Sequence, residues 1–312
     1  MQKEKYLIIN IDDFGVSHAA NVAARELYKS GKVTSMSIMA GASAYDEAVR
    51  IIKENNIESV GVHLYVTNEY TYKENPFALK GITYCDETLS NGVFTENFKY
   101  SGNFHDAVLK ETSAQLEKVI SDGINPSHID NHMYRLWPID GNDFFESACK
   151  LCKEHSIGAI RLSTDFSEIP TYYGVYHMTR IERLCAKATA QKYKIKTVDN
   201  VYLMTQKNED FDNLTMLKRF REFLASLPEG ISELHFHPAA EDDELKENNP
   251  WWQERVAEFN LFKNNDIRAI CEEYGIKLIS YKDLANMTYS ESKIIFPGLI
   301  SKILKKLDFI KF

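Results

Sequence analysis

Residues 6–30, YLIINIDDFGVSHAANVAARELYKS, set the pattern of the whole chain. YLIINI is an apolar, β-branched run of strand length and DDFG is a turn. From Ala20 to Ser30 apolar residues recur at three- and four-residue spacing, as on one face of a helix. The same alternation continues to the far end. Strands are predicted at residues 6–11, 34–39, 59–63, 127–130, 158–162, 196–198, 233–236 and 277–280. Helix-period segments fall between most of them, at 20–30, 45–55, 106–121 and 211–226. About eight βα repeats favour a parallel sheet with helical crossovers. The expected fold is α/β, a TIM-barrel-like (β/α) barrel forming one domain over residues 1–288. Residues 67–103 carry many Tyr, Asn, Gly and Thr with little periodicity, and are expected to form a long insertion at the C-terminal rim.

The 312 residues are 44% apolar and 26% charged, a balance that excludes disordered and collagen-like classes. A formal net charge of −8 provides no cationic field for a phosphate backbone, so nucleic acid is not an expected partner. Five cysteines, an odd number, fit a reducing compartment better than a disulfide scaffold. The start lacks the apolar run and small-residue cleavage site of a secretory signal, and no uncharged apolar stretch reaches spanning length. The expected location is cytoplasmic. The last segment, residues 289–312, differs: PGLISKILKKLDFIKF places Leu, Ile and Phe against Lys302, Lys305, Lys306 and Lys311. On a helix this makes an apolar and a basic face, suited to docking on the body or to peripheral contact with the inner face of a membrane through residues 297–312.

Polar residues fall where the strands end. Asp12 and Asp13 follow LIINI, His63 ends ESVGV, His132 follows PSHID, and His237 follows SELHF. In a parallel barrel the C-terminal strand ends form one rim, so residues distant in sequence converge there. Neighbouring carboxylates leaving a strand can serve different roles, one as a metal ligand and the other beside a water. A turn aspartate also commonly caps a helix, and a lone histidine commonly packs. HIDNH is more specific, because His128, Asp130 and His132 share one side of an extended strand. One carboxylate and two imidazoles suit a divalent ion, and Asp13, His63 and His132 are the selected set. His128 is either a fourth ligand or, like Asp130, a group that orients a ligand. In HFHP, His237 lies nearer the strand end than His235 and is the candidate general acid. The Cys149/Cys152 pair lies in a helix-like segment and reads as packing. No GxxxxGK[ST], GxGxxG or GxSxG motif points to nucleotide or serine chemistry.

Together NIDDFGVSHAAN, GKVTSMSIM, GVHL, PSHIDNH, AIRL, HFHP and GIKLISYKDL resemble, in order, the YdjC-like carbohydrate deacetylases, a family typified by chitooligosaccharide deacetylase. The resemblance covers roughly residues 5–285. It implies a hydrolase that removes N-acetyl groups from an amino-sugar-containing oligosaccharide or glycolipid, with zinc or magnesium as the divalent ion. It further implies that Asp13, His63 and His132 hold the metal, Asp12 activates water and His237 protonates the leaving amine. By looser analogy with polysaccharide deacetylases, Arg161 holds Asp12 ionised and oriented; the alternative is a surface or core ion pair. Tyr134 stands where many relatives have a further histidine, which leaves the metal set intact and alters the substrate edge. Trp251 and Trp252 offer apolar faces to a sugar, or core at a helix start. The rivals to this reading are a metal-dependent phosphoesterase on the same barrel and a noncatalytic sugar-binding protein. Homo-oligomer formation stays open.

Overall fold

In a computed structural model, residues 4–66, 102–132, 136, 143–162, 180–204 and 211–288 are described. The order begins β1 (Lys5–Phe14), α1 (His18–Lys29), β2 (Ser35–Ile38), α2 (Tyr45–Glu54), β3 (Val60–Leu64), α3 (Gly102–Ser121), β4 (His128–Asn131), α4 (Asp143–Glu154) and β5 (Ala159–Ile160). It continues with α5 (Arg180–Tyr193), β6 (Asn200–Leu203), α6 (Asn213–Ser226), β7 (Gly230–Phe236), α7 (Asp243–Asn248), α8 (Trp252–Asn264), α9 (Ile267–Glu273), β8 (Ile276–Leu278) and α10 (Tyr281–Asn286). The expected insertion at 67–103 and tail at 289–312 lie largely or wholly outside the described residues.

Every strand ladder is parallel, in the order β5-β4-β3-β2-β1-β7-β6. β1 organises this sheet. One side pairs with β7 from Lys5 to Ile11, while the other is shared by β8 against Lys5–Leu7 and β2 from Asn10 onward. The far ends of the path approach each other through one parallel bridge, Ala159 to Lys196, closed by Ile160 N–H to the Lys196 carbonyl at 2.9 Å. This is a barrel-like parallel (β/α) fold, joined there among the described residues by a bridge rather than a full ladder. That bridge also corrects the strand predicted at 196–198. After Lys196 the chain turns at Asp199, whose N–H meets the Ile231 carbonyl at 2.8 Å, and register with β7 runs from Asn200 to Leu203.

Alternation along β1 divides the interior. Leu7, Ile9 and Ile11 belong to the apolar cluster shared with the helices, whereas Ile8 joins Val201, Ile231, Tyr281 and Leu284 in a separate cluster. Above Ile8 on its own face come Asn10 and Asp12, both buried. The interior is therefore apolar in its lower layer and polar above. Helix α10 lies across the N-terminal strand ends: Tyr281 N–H donates to Ser35 Oγ at 3.0 Å and Lys282 N–H to Ser59 Oγ at 3.3 Å. Ser280 and Asp283 fix its start through a reciprocal capping box.

One glycine shows how tightly the two layers meet. The His128 imidazole stacks on Tyr281 with centroids 3.7 Å apart and planes 11° from parallel. Its other neighbour is Gly61, where a Cβ would come within 2.4 Å of the ring. Gly61→Ala is thus expected to overpack the interior and lower stability by roughly 1–3 kcal/mol in denaturant unfolding. Wild-type stability in that variant would contradict the packing described.

Candidate metal centre

The pairing of β1 with β2 slips between Ile11 and Phe14, and Asp13 sits within the slip at φ +58°. That left-handed conformation is costly for most side chains, although short polar residues such as Asp enter it more readily. Here it breaks the strand alternation that would send adjacent carboxylates to opposite faces. The turn is pinned from α1: Gly15 N–H donates to Asn21 Oδ1 at 2.9 Å, while Asn21 Nδ2 donates to the Ala44 carbonyl at 3.0 Å and to Glu47 at 2.8 Å. As a result both carboxylates approach one imidazole. His63 Nε2 stands 3.5 Å from Asp13 Oδ1 and 4.0 Å from Asp12 Oδ2.

Asp13, His63 and His132 come together at the ends of three elements, all buried. Asp13 Oδ1 is 3.2 Å from His132 Nδ1, and the two imidazoles meet edge to face with centroids 5.4 Å apart. Ligand atoms around a divalent ion at about 2.1 Å stand about 3.0–3.4 Å from one another, close to the 3.5 and 3.2 Å that separate Asp13 Oδ1 from the two imidazole nitrogens, so these residues could hold such an ion. The opposite nitrogen of His63 supports the same role. His63 Nδ1–H donates to Asp130 Oδ1 at 2.8 Å, a partnership that leaves the Nε2 lone pair toward Asp13.

Two arginines treat the adjacent aspartates differently. Arg161 takes both oxygens of Asp12, with Nη1 to Oδ2 at 2.7 Å and Nη2 to Oδ1 at 2.6 Å. Arg255 takes one oxygen of Asp13, with Nη2 to Oδ2 at 2.7 Å. Arg161 also reaches Asp130 Oδ2 at 2.9 Å and grips Glu233 through Nε and Nη2. Glu233 in turn accepts from the Tyr281 hydroxyl. Asn10 Nδ2 donates to Asp12 Oδ1 and to Ser37 Oγ, both at 2.8 Å, and the Ser37 hydroxyl donates to Asp130 Oδ2 at 2.5 Å.

Electrostatics follow from this arrangement. Burial opposes the charge on Asp12, but the Arg161 guanidinium, with His235 and His63, holds its carboxyl well below the usual carboxylate range. Burial opposes Asp13 too, and His132 and Arg255 outweigh it in the same direction. Burial also works against the Arg161 charge, yet Asp12, Asp130 and Glu233 keep that guanidinium protonated well above its ordinary range. Burial raises Glu233 despite its contact with Arg161.

His128 lies below the donor set, between Ser127 Oγ at 2.9 Å and Ser37 Oγ at 3.3 Å, and burial pushes its imidazole down to about 3. His235 Nδ1 is 3.2 Å from Asp12 Oδ2, and its ring meets that of His237 at 5.8 Å. Asp12, His235 and His237 form a second group with ligand atoms within 4.8 Å. Both Asp12 oxygens there already accept from Arg161, whereas Asp13 has only Oδ2 engaged by Arg255. Burial pushes His237 down to about 3, and its backbone N–H donates to Glu258 at 2.8 Å.

Several of these partners escaped the sequence reading. Asn10 and Glu233 lie two residues before Asp12 and His235 on the same strand faces, so the period-two rows that contained them were visible. Ser37 lies in a short strand without a titratable neighbour to mark it. Tyr281, Arg255 and Glu258 arrive on helices and left no strand-end signal. Trp252 packs with Ala19, Ala239 and Leu245, as core at a helix start, and Cys149 and Cys152 are buried. Tyr134 lies outside the described residues.

The profile of the family described as YdjC-like protein matches residues 6–273. A carbohydrate deacetylase of Clostridium beijerinckii is 28% identical over 286 residues, covering 89% of this chain and 99% of that protein. One from Geobacillus stearothermophilus is 26% identical over 291 residues, covering 89% and 98%. Among solved structures, a putative cellobiose-phosphate cleavage protein from Enterococcus faecalis superposes with a TM-score of 0.64 at 23% identity, over 90% of this chain and 99% of that one. At that identity the superposition speaks for the fold. Strand order, strand-end residues and a match running through nearly the whole barrel agree: the chain belongs to the YdjC-like protein family.

Proposed function

We propose that this protein is a metal-dependent hydrolase that removes N-acetyl groups from an amino-sugar-containing carbohydrate, an oligosaccharide or a glycolipid, and releases acetate. The observation that carries the reading is the division of Asp12 from Asp13: one carboxylate clamped by Arg161, the other sharing an oxygen edge with His63 and His132. Relatives matched along almost their entire length are named carbohydrate deacetylases, which supports the substrate class. In this reading the barrel closes as a TIM-like ring, and the catalytic unit is residues 1–288, with 289–312 a separate amphipathic basic tail.

Asp13, His63 and His132 would hold Zn²⁺ or Mg²⁺, which supplies Lewis acidity toward the acetyl carbonyl and water. Asp12, kept ionised by Arg161, accepts a proton from water as the new C–O bond forms. Asp130 orients His63, and Arg161 orients Asp12. His237 donates a proton to the nitrogen as the C–N bond breaks, which gives acetate and the free amine. Burial leaves His237 neutral at rest. The proton it delivers is therefore the one released by water, passed within the group formed by Asp12, His235 and His237, whose nearest polar atoms lie within 4.8 Å of one another.

The decisive measurement is acetate release over a panel of free, oligomeric and lipid-linked N-acetyl sugars, with phosphate release from sugar phosphates as the competing arm. Acetate release without phosphate release is expected, and the reverse would defeat the proposal. Chelation should abolish turnover, with recovery on adding Zn²⁺ or Mg²⁺; full activity in protein shown by elemental analysis to be metal-free would exclude metal dependence. Asp12→Asn should lower kcat by roughly 10²- to 10⁴-fold while retaining bound metal. His237→Ala should fall in the same range, and near wild-type turnover in either variant would remove that residue from its role.

A further inference from the structure

Asp13 presents its two oxygens to different partners. Oδ1 faces the His63 and His132 nitrogens at 3.5 and 3.2 Å, while Oδ2 accepts from Arg255 Nη2 at 2.7 Å. Arg255 is itself buried near the start of α8, and its carbonyl accepts from Ala239 N–H at 3.1 Å, just beyond His237. The guanidinium therefore approaches from a fixed direction. We infer that Arg255 is a positioning residue that confines Asp13 to single-oxygen coordination, leaving the metal's remaining positions open to water and substrate. This inference rests on Asp13, His63 and His132 being the metal set.

The argument is geometric. A carboxylate with both oxygens available can close on a cation as a bidentate ligand and occupy one more coordination position. A side chain that hydrogen-bonds one of those oxygens removes that option and fixes the plane of the other. Asp12 gives the internal contrast, since Arg161 engages both of its oxygens. With one-oxygen coordination from Asp13 and one nitrogen from each histidine, three positions are filled by protein. That is the count expected of an open catalytic site rather than a closed structural one.

The test uses full-length protein stripped of metal and titrated with Co²⁺, with affinity and visible absorption both recorded. Asp13→Asn serves as the control on the metal set itself. An unchanged titration in that variant would remove the set, and with it the inference. If Asp13→Asn abolishes binding, Arg255→Met is expected to weaken Co²⁺ binding roughly 10- to 100-fold. Its d–d absorption should also weaken as Asp13 closes both oxygens on the ion. Arg255→Lys, which keeps a cationic donor, should recover the wild-type spectrum and most of the affinity. Wild-type affinity and spectrum in Arg255→Met would overturn the assignment of Arg255 while leaving the metal set standing. Should that variant fail to fold, Arg255→Gln decides: weakened binding with the wild-type spectrum is expected, and unchanged affinity overturns the inference.

Discussion

The guanidinium of Arg161 is the point on which the interior depends. It stands fully buried just beyond β5 and meets three carboxylates, Asp12, Asp130 and Glu233, that come from three other strands. None of these charges has bulk water to fall back on, so each is tolerable only because the others are present. Removing one partner from such a buried set leaves an uncompensated ion and typically costs about 3–5 kcal/mol. The same contacts fix geometry. Arg161 sets the plane of the Asp12 carboxylate, and through Asp130 it sets the ring of His63. Stability and the geometry of the site thus draw on one network.

The barrel-like sheet also explains how two adjacent aspartates acquire different surroundings. The slip in β1 and the left-handed Asp13 bring both side chains to one rim, where β5 supplies the arginine for Asp12 and α8 the arginine for Asp13. Neither arginine is close to the pair in sequence. A difference in environment between identical groups is what lets them divide labour.

The alternation of strand and helix was legible because each apolar run ends in polar residues, as LIINI ends in Asp12 and Asp13. The rim followed from that grammar. Less was legible inside the barrel. In HIDNH the period of two puts His128, Asp130 and His132 on one side of the strand but does not show that this side crosses two layers, so that His128 packs between Tyr281 and Gly61 while His132 reaches the rim. Glu233 was passed over beside the more conspicuous histidines of the same strand. The strand placed at 196–198 shifted toward the C terminus because register with β7, a long-range property, outweighs a short β-branched run. Arg255 and Tyr281 are tertiary contributions, and local pattern carries no trace of where a helix will deliver its side chain.

The pairing of β1 has a consequence for biogenesis. Lys5 is paired in the sheet with Gly230 and with Ile276, so the N-terminal half of β1 finds its partners only near the far end of the chain, while β2 pairs with it from Asn10 onward. During translation this apolar strand leaves the ribosome long before β7 and β8 exist, and the edge that pairs with β7 waits without its final neighbour. Tyr281 emerges later still, to seat beneath His128. Vectorial synthesis therefore completes the polar interior last, once β7, β8 and α10 have all emerged.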